Sequence, residues 1–345
     1  MFLPYSKQVR DMKGVVLAAG HGKRLLPLTS FRPKHMLPVA GKPILQHSLE
    51  YMRDVLKITE VIMVVGYERQ SIMNYFKNGE ELGIKITYVI QNSTQTKGLA
   101  AAVNLVRDYI TEDFAVILGD NLFMTDLKKV IDLHLESKAA ATLHLEENEN
   151  PQRYGVVELD GNRVVSLEEK PQHPKSNFVI TGFYVFSPII FNMFADLKPS
   201  FRGEYELTDA IQALVEQGYT VNASLISGWR LDIGFPEDLL EVNKHYLNDK
   251  THAVLGEIIN TKIIPPVFVA KGTRISDSTI GPYAMIEADV EVTKSEIKNS
   301  VILEKCLLKD SVISNSVIGT NSKIQGMRAH SLKVGDYSDI HLSTS

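Results

Sequence analysis

Hydrophobic and polar positions change their rhythm twice along the chain. From Lys13 to about residue 137, short continuous apolar runs alternate with stretches of helical spacing. The runs are Lys13–Ala19 (KGVVLAA), Val61–Tyr67 (VIMVVGY), Lys85–Gln91 (KITYVIQ) and Phe114–Leu118 (FAVIL). Continuous rather than alternating apolar residues predict parallel strands covered on both faces. Between them, Pro43–Lys57, Arg69–Lys77, Gly98–Tyr109 and Asp126–Ser137 predict helices. Such βαβα alternation predicts an open, doubly wound, Rossmann-like α/β sheet.

The second rhythm runs from about 155 to 248. Val156–Leu159 and Val164–Glu168 flank Asp160-Gly161-Asn162, a hairpin turn. Phe178–Phe186, Asn222–Ile226 and Trp229–Ile233 read as strands, and Tyr205–Gln217 and Pro236–Asn248 as helices. The third rhythm begins near 255. Apolar residues recur every five or six positions: Ile263, Val269, Ile275, Ile280, Ile286, Val292, Ile297, Ile302, Leu307, Val312 and Val317. Three such steps make one triangular coil, the signature of a parallel β-helix. The expected organisation is a tail at 1–12, an α/β domain at 13–250 and a β-helix domain at 255–340.

Composition narrows the class. The chain has 345 residues, of which 44% are hydrophobic and 23% charged, and a formal net charge of −4. No basic cluster marks a nucleic-acid surface, so no nucleic-acid partner is expected. A single cysteine, Cys306, excludes an internal disulfide framework and a Cys-based zinc site, and a reducing, cytoplasmic setting fits. Cys306 falls on the coil repeat and reads as a small buried hydrophobe. Phe178–Ala195 is uncharged, but Pro188 divides it into a strand and a helix, so no membrane span is expected. The first eleven residues have no apolar core and do not read as a secretory signal.

The stretch from Leu17 to Thr29 (LAAGHGKRLLPLT), followed by Arg32-Pro33-Lys34, carries the strongest chemical signal. Small residues at Ala18, Ala19, Gly20 and Gly22 allow close backbone approach, with N–H groups free to face phosphate oxygens. Arg24 and Lys34 add two cations suited to a triphosphate. The spacing is neither the dinucleotide G-x-G-x-x-G nor a Walker A loop. The stretch resembles the signature of the sugar-phosphate nucleotidyltransferases, or nucleoside-diphosphate-sugar pyrophosphorylases. Within them the chain is most similar to the long, β-helix-bearing glucose-1-phosphate thymidylyltransferases.

That resemblance implies a left-handed β-helix, and the reaction NTP plus sugar 1-phosphate to NDP-sugar plus pyrophosphate. It implies nucleotide contacts from Ala18, Ala19, Gly20 and Gly22, with Gln91 and Gly98 reading the base. Arg24 and Lys34 would serve the triphosphate. Asp120, in Leu118-Gly-Asp-Asn121, and Asp232, in Trp229–Gly234, would hold Mg²⁺. Gly155, Glu169 and Lys170 would face the sugar phosphate, with Lys170 positioning the attacking oxygen. Tyr184 either touches the sugar or packs in the core. The expected substrates are dTTP and glucose 1-phosphate. UTP is the alternative, because thymine and uracil share one hydrogen-bonding edge. A bifunctional acyltransferase and a non-catalytic regulatory subunit are the remaining alternatives. The chain is expected to form a homo-oligomer through the β-helix.

Overall fold

The computed structural model describes residues 12–92, 97–225, 228–248 and 251–342. The expected N-terminal tail up to residue 11 and most of the loop between Gln91 and Gly98 lie outside the described residues, as does the end of the strand expected to reach Ile226. By the density of its contacts the chain forms two compact units. One is built from the chain up to Gly20 and from Leu45–Arg230, the other from His21–Ile44 and from Leu231 onward. They interleave in sequence, whereas a linear division would fall at 250–255.

The first unit holds a nine-stranded sheet. Its strands are β1 (Lys13–Ala18), β2 (Glu60–Val65), β3 (Lys85–Ile90), β4 (Phe114–Leu118), β5 (Ala141–Glu147), β6 (Gly155–Asp160), β7 (Arg163–Glu169), β8 (Phe178–Phe186) and β9 (Val221–Leu225). Their spatial order is β3-β2-β1-β4-β8-β5-β9-β7-β6. Strands β3, β2, β1 and β4 are parallel, with Leu17 opposite both Val64 and Leu118. The chain moves outward from β1 through β2 to β3, then returns to the other side of β1 to form β4. Ligands in open α/β sheets bind where the order reverses, beyond the strands' carboxyl ends. Here that position lies between β1 and β4. Strand β8 then runs antiparallel to both β4 and β5.

Two strands of this unit were not expected. Asn121–Met124 follows Asp120 at once, and β5 follows helix Lys128–Ser137. Strand β5 begins among alanines and is buried along most of its length, so it lacks the alternation that marks a half-buried strand. The helix expected over Gly98–Tyr109 is shorter, Leu99–Asn104, with a 3₁₀ turn over Arg107–Tyr109. Helix Ile44–Tyr51 closes in a π-helical turn over Met52–Leu56.

In the second unit the chain beyond residue 252 winds through three parallel sheets of six, six and five strands. Each strand pairs with one a full coil later. Arg274 lies opposite Glu291, and Glu291 opposite Leu307, so the coil shortens from 17 residues to 16. Ile275, Ile280, Ile286, Val292, Ile297 and Ile302 fill the interior as the repeat requires. The phase then slips by one: Leu308, Ile313 and Ile318 enter the interior cluster, whereas Leu307 and Val312 are only partly buried. The doublets Leu307-Leu308, Val312-Ile313 and Val317-Ile318 are apolar at both positions, so periodicity could not choose between them. Cys306 lies in this core, its thiol donating to the Gly319 carbonyl at 2.9 Å, and burial pushes its pKa up to about 12. Among the described residues, no helix is long and apolar enough to cross a membrane.

Candidate active site

In the first unit, the carboxyl ends of β1 and β4 bring two expected segments together. Ala18 closes β1 and leads into Ala19 and Gly20. The Gly119 N–H donates to the Leu17 carbonyl at 3.0 Å, which holds the Gly119-Asp120 turn beside that loop. The Asn121 amide donates to Asp120 Oδ1 at 3.4 Å. Gln91 leaves β3 with its N–H on the Val65 carbonyl at 2.8 Å, and its side-chain amide lies 3.5 Å from the Gly98 carbonyl. Gly98 has φ +106°, and a Cβ there would stand 2.2 Å from the Tyr205 carbonyl oxygen. Its glycine is therefore required by protein backbone, whatever ligand it also meets.

The sugar-side candidates form a second cluster in this unit. Gly155 and Glu169 face each other across the β6–β7 hairpin. A Cβ on Gly155 would meet the Thr208 methyl at 2.7 Å and Glu169 Oε2 at 3.2 Å. Glu169 accepts from Thr208 Oγ1 at 3.3 Å and from Arg202 at 3.4 Å, and pairs with Lys170 Nζ at 3.3 Å. Lys170 adopts a left-handed backbone, and its N–H donates to the Tyr154 carbonyl. Tyr184 packs in the core, stacked on Phe186 at 5.6 Å. Burial first, and then the charge of Glu169, pushes its hydroxyl pKa far above the ordinary value. Burial, reinforced by Glu169, also raises Glu206 and Asp209 above the usual carboxylate range. Arg202 pairs with Glu169, Glu204 and Glu206, and no motif in the sequence marked it.

A third group was also missed. Arg230, 7% exposed, grips Glu146 of β5 in bidentate fashion at 2.5 and 3.0 Å. It also donates to Asn121 Oδ1 at 2.6 Å and to the Thr181 carbonyl at 3.2 Å. Arginine has only donors, so this contact fixes the Asn121 oxygen and turns its NH₂ toward Asp120. The signal lay in the sequence as an arginine set between Trp229 and Leu231, but its partner β5 had gone unrecognised.

The second unit collects the other candidates. Gly22 has φ +64° and opens the turn Lys23–Leu25; its carbonyl accepts from Leu25 N–H and Thr29 Oγ1, each at 2.9 Å. A Cβ on Gly22 would touch Lys34 Cβ at 3.0 Å, so the glycine turn and Lys34 are neighbours. The Arg24 guanidinium stands 5.0 Å over the Phe235 ring and within 3.2 Å of where a Cβ on Gly234 would lie. Asp232 closes strand Trp229–Asp232 two residues earlier. Asp238 accepts from the Gly234 and Phe235 N–H groups at 2.8 and 2.6 Å, pinning that turn to helix Pro236–Tyr246.

The donor chemistry suits Mg²⁺. Asp120 and Asp232 are hard carboxylate donors, and Mg²⁺ is usually held by one or two carboxylates plus substrate phosphates rather than by an all-protein cage. Among the described residues, no group of three or more His, Cys, Asp or Glu gathers as a metal cage.

Comparison with known proteins decides the family. The nucleotidyl transferase family model matches residues 13–249. The chain belongs to the nucleotidyl transferase family. It is a sugar-phosphate nucleotidyltransferase with the Rossmann-like fold of that family. It is 44% identical over 245 residues to UTP–glucose-1-phosphate uridylyltransferase AglF of Haloferax volcanii, covering 70% of this chain and 99% of that one. It is 34% identical over 358 residues to a glucose-1-phosphate thymidylyltransferase of Streptomyces griseus, covering 96% and 100%. A solved glucose-1-phosphate thymidylyltransferase structure from Bacillus anthracis superposes with a TM-score of 0.62 at 33% identity, covering 67% of this chain and 94% of that one.

Proposed function

We propose that this nucleotidyltransferase transfers a nucleotidyl group to glucose 1-phosphate, with dTTP as the donor and dTDP-glucose and pyrophosphate as products. The observation that carries this reading is the pairing of the Ala18-Ala19-Gly20 turn with Asp120 where the strand order reverses. The sugar-phosphate oxygen attacks the α-phosphorus in line and pyrophosphate leaves. No protein nucleophile is required, since the attacking phosphate is already anionic. Lys170 orients the attacking oxygen. Glu169, held by Thr208 and Arg202, accepts from sugar hydroxyls, and Gly155 leaves room for the ring. Arg24 stabilises the departing pyrophosphate, and Lys34 holds the phosphates beside the Gly22 turn. Gln91 and Gly98 read the base. Asp120 and Asp232 would hold Mg²⁺, which when bound would supply charge neutralisation on the reacting phosphates. Catalysis is then positioning plus preorganised electrostatics.

The match along nearly the whole Streptomyces griseus chain favours dTTP. The higher identity to the Haloferax uridylyltransferase over the catalytic part favours UTP. One methyl in a pocket discriminates by about 1–3 kcal/mol, so use of both is consistent with either reading. Equimolar dTTP and UTP competing for glucose 1-phosphate decides the matter. Excess dTDP-glucose supports the proposal, and excess UDP-glucose overturns it in favour of the uridylyl reading. We also assign residues 13–250 as the catalytic domain of a cytoplasmic enzyme and the coils at 255–340 as a left-handed parallel β-helix. Its surface is where copies of the chain associate, which light scattering on the full chain tests.

A further inference from the structure

The segment between the glycine turn and Lys34 is seated on the last coils of the same compact unit. Three consecutive coil residues each receive one residue of that segment. Gly335 lies against Pro27, so closely that a Cβ on it would stand 2.8 Å from Pro27 Cβ. Asp336 receives Arg32, whose Nη2 donates to Oδ2 at 2.8 Å. Tyr337 meets Phe31 edge to face at 6.1 Å. Arg32 also donates to Thr320 Oγ1 at 2.6 Å, and the Thr320 N–H donates to Asp336 Oδ1 at 2.8 Å. The carboxylate is thereby fixed from both sides, and the pair is well buried, with side chains 17% and 2% exposed for Arg32 and Asp336. Helix Pro236–Tyr246, which follows the turn beneath Arg24, is tied to the same coil by a Glu237–Lys333 ion pair.

We propose that Arg32 is a positioning residue, which anchors the Leu26–Met36 segment on Asp336 and Thr320 and so lets the terminal coils set the placement of Lys34 for the triphosphate. This rests on the proposed function, in which Lys34 holds the nucleotide phosphates. The physical reason is that Lys34 opens the short 3₁₀ turn Lys34–Met36, so a shift of that turn shifts its ammonium. A displacement of about 1 Å can cost on the order of a hundredfold in rate. Arg32 lies two residues away and is the one charged side chain among the described residues 25–33, so it can register the turn against a rigid stack.

The test is a double-mutant cycle on the full-length protein with Arg32→Ala, Asp336→Asn and both together. Each single variant should raise KM for the nucleoside triphosphate by about tenfold or more, with KM for sugar 1-phosphate little changed. The double variant should be no worse than either single one. Arg32→Lys, which keeps one charge but loses the fork, should fall between. If Arg32 instead binds phosphate directly, Asp336→Asn leaves the triphosphate KM unchanged, and the proposal fails. It fails too if all variants lose activity only in proportion to a loss of folded protein, with both KM values constant. Hydrogen exchange separates this from failure of the functional reading. Amides of Leu28, Ser30, Met36 and Leu37 should exchange faster in each variant while those of Phe114–Leu118 hold. Unchanged exchange at those four overturns the anchor. Faster exchange in a protein whose wild type transfers no nucleotide overturns the functional reading alone.

Discussion

Arg230 shows how much a single side chain organises near Asp120. Its guanidinium joins β5, β8 and the strand Asn121–Met124, and the Glu146 pairing neutralises its charge. Removing Arg230 strands the Glu146 carboxylate, which is 27% exposed, so the cost falls below that of a fully buried pair, to about 2 kcal/mol. Arg230→Met should therefore lower stability by about that amount in urea unfolding, and adding Glu146→Leu should recover much of the loss. A single variant as stable as wild type would show the pair to be inconsequential. Sequence reasoning nominated Asp120, Glu169 and Arg24 because each sits in a short motif whose spacing is local. It missed Arg230, Arg202 and Thr208 as site residues because their meaning depends on partners far along the chain.

At the scale of elements, the parallel strands β1 to β4 were legible because burial on both faces leaves continuous apolar runs. Strand β5 was not, since its alanine start and burial along most of its length carry neither strand nor helix period. The coils were legible as a period but not in phase, because apolar doublets permit two registers. The coils also store an acid–base conflict. Glu287 is pushed up to about 7 by burial and by the nearby Glu304 charge, with Arg32 opposing. Its folded-state pKa lies above its ordinary value of 4.5, so the folded state holds the proton more tightly. Its stabilising contribution is complete below about pH 4.5 and is lost as pH rises through about 7. Glu287→Gln should thus match wild type in Tm near pH 4.5, and exceed it by several degrees at pH 8. A gap that is constant with pH would contradict that assignment.

Taken whole, the chain has two compact units that interleave in sequence. The candidate residues divide between them: Ala18, Ala19, Gly20, Gln91, Gly98, Asp120, Gly155, Glu169, Lys170 and Tyr184 in one, and Gly22, Arg24, Lys34 and Asp232 in the other. A linear reading could not anticipate this, because the 21–44 excursion carries only local turn signals and its partners come two hundred or more residues later. The central claim is nucleotidyl transfer by these residues to a sugar 1-phosphate. It is tested most directly by pyrophosphate release with Mg²⁺, across dTTP, UTP, GTP, ATP and CTP against glucose, galactose, mannose and N-acetylglucosamine 1-phosphates. Arg24→Ala and Asp120→Asn serve as controls. The account predicts release that needs both substrates, peaks with dTTP or UTP and glucose 1-phosphate, and nearly vanishes in the two folded variants. Silence across the whole grid from folded protein, or wild-type rates in either variant, would contradict it.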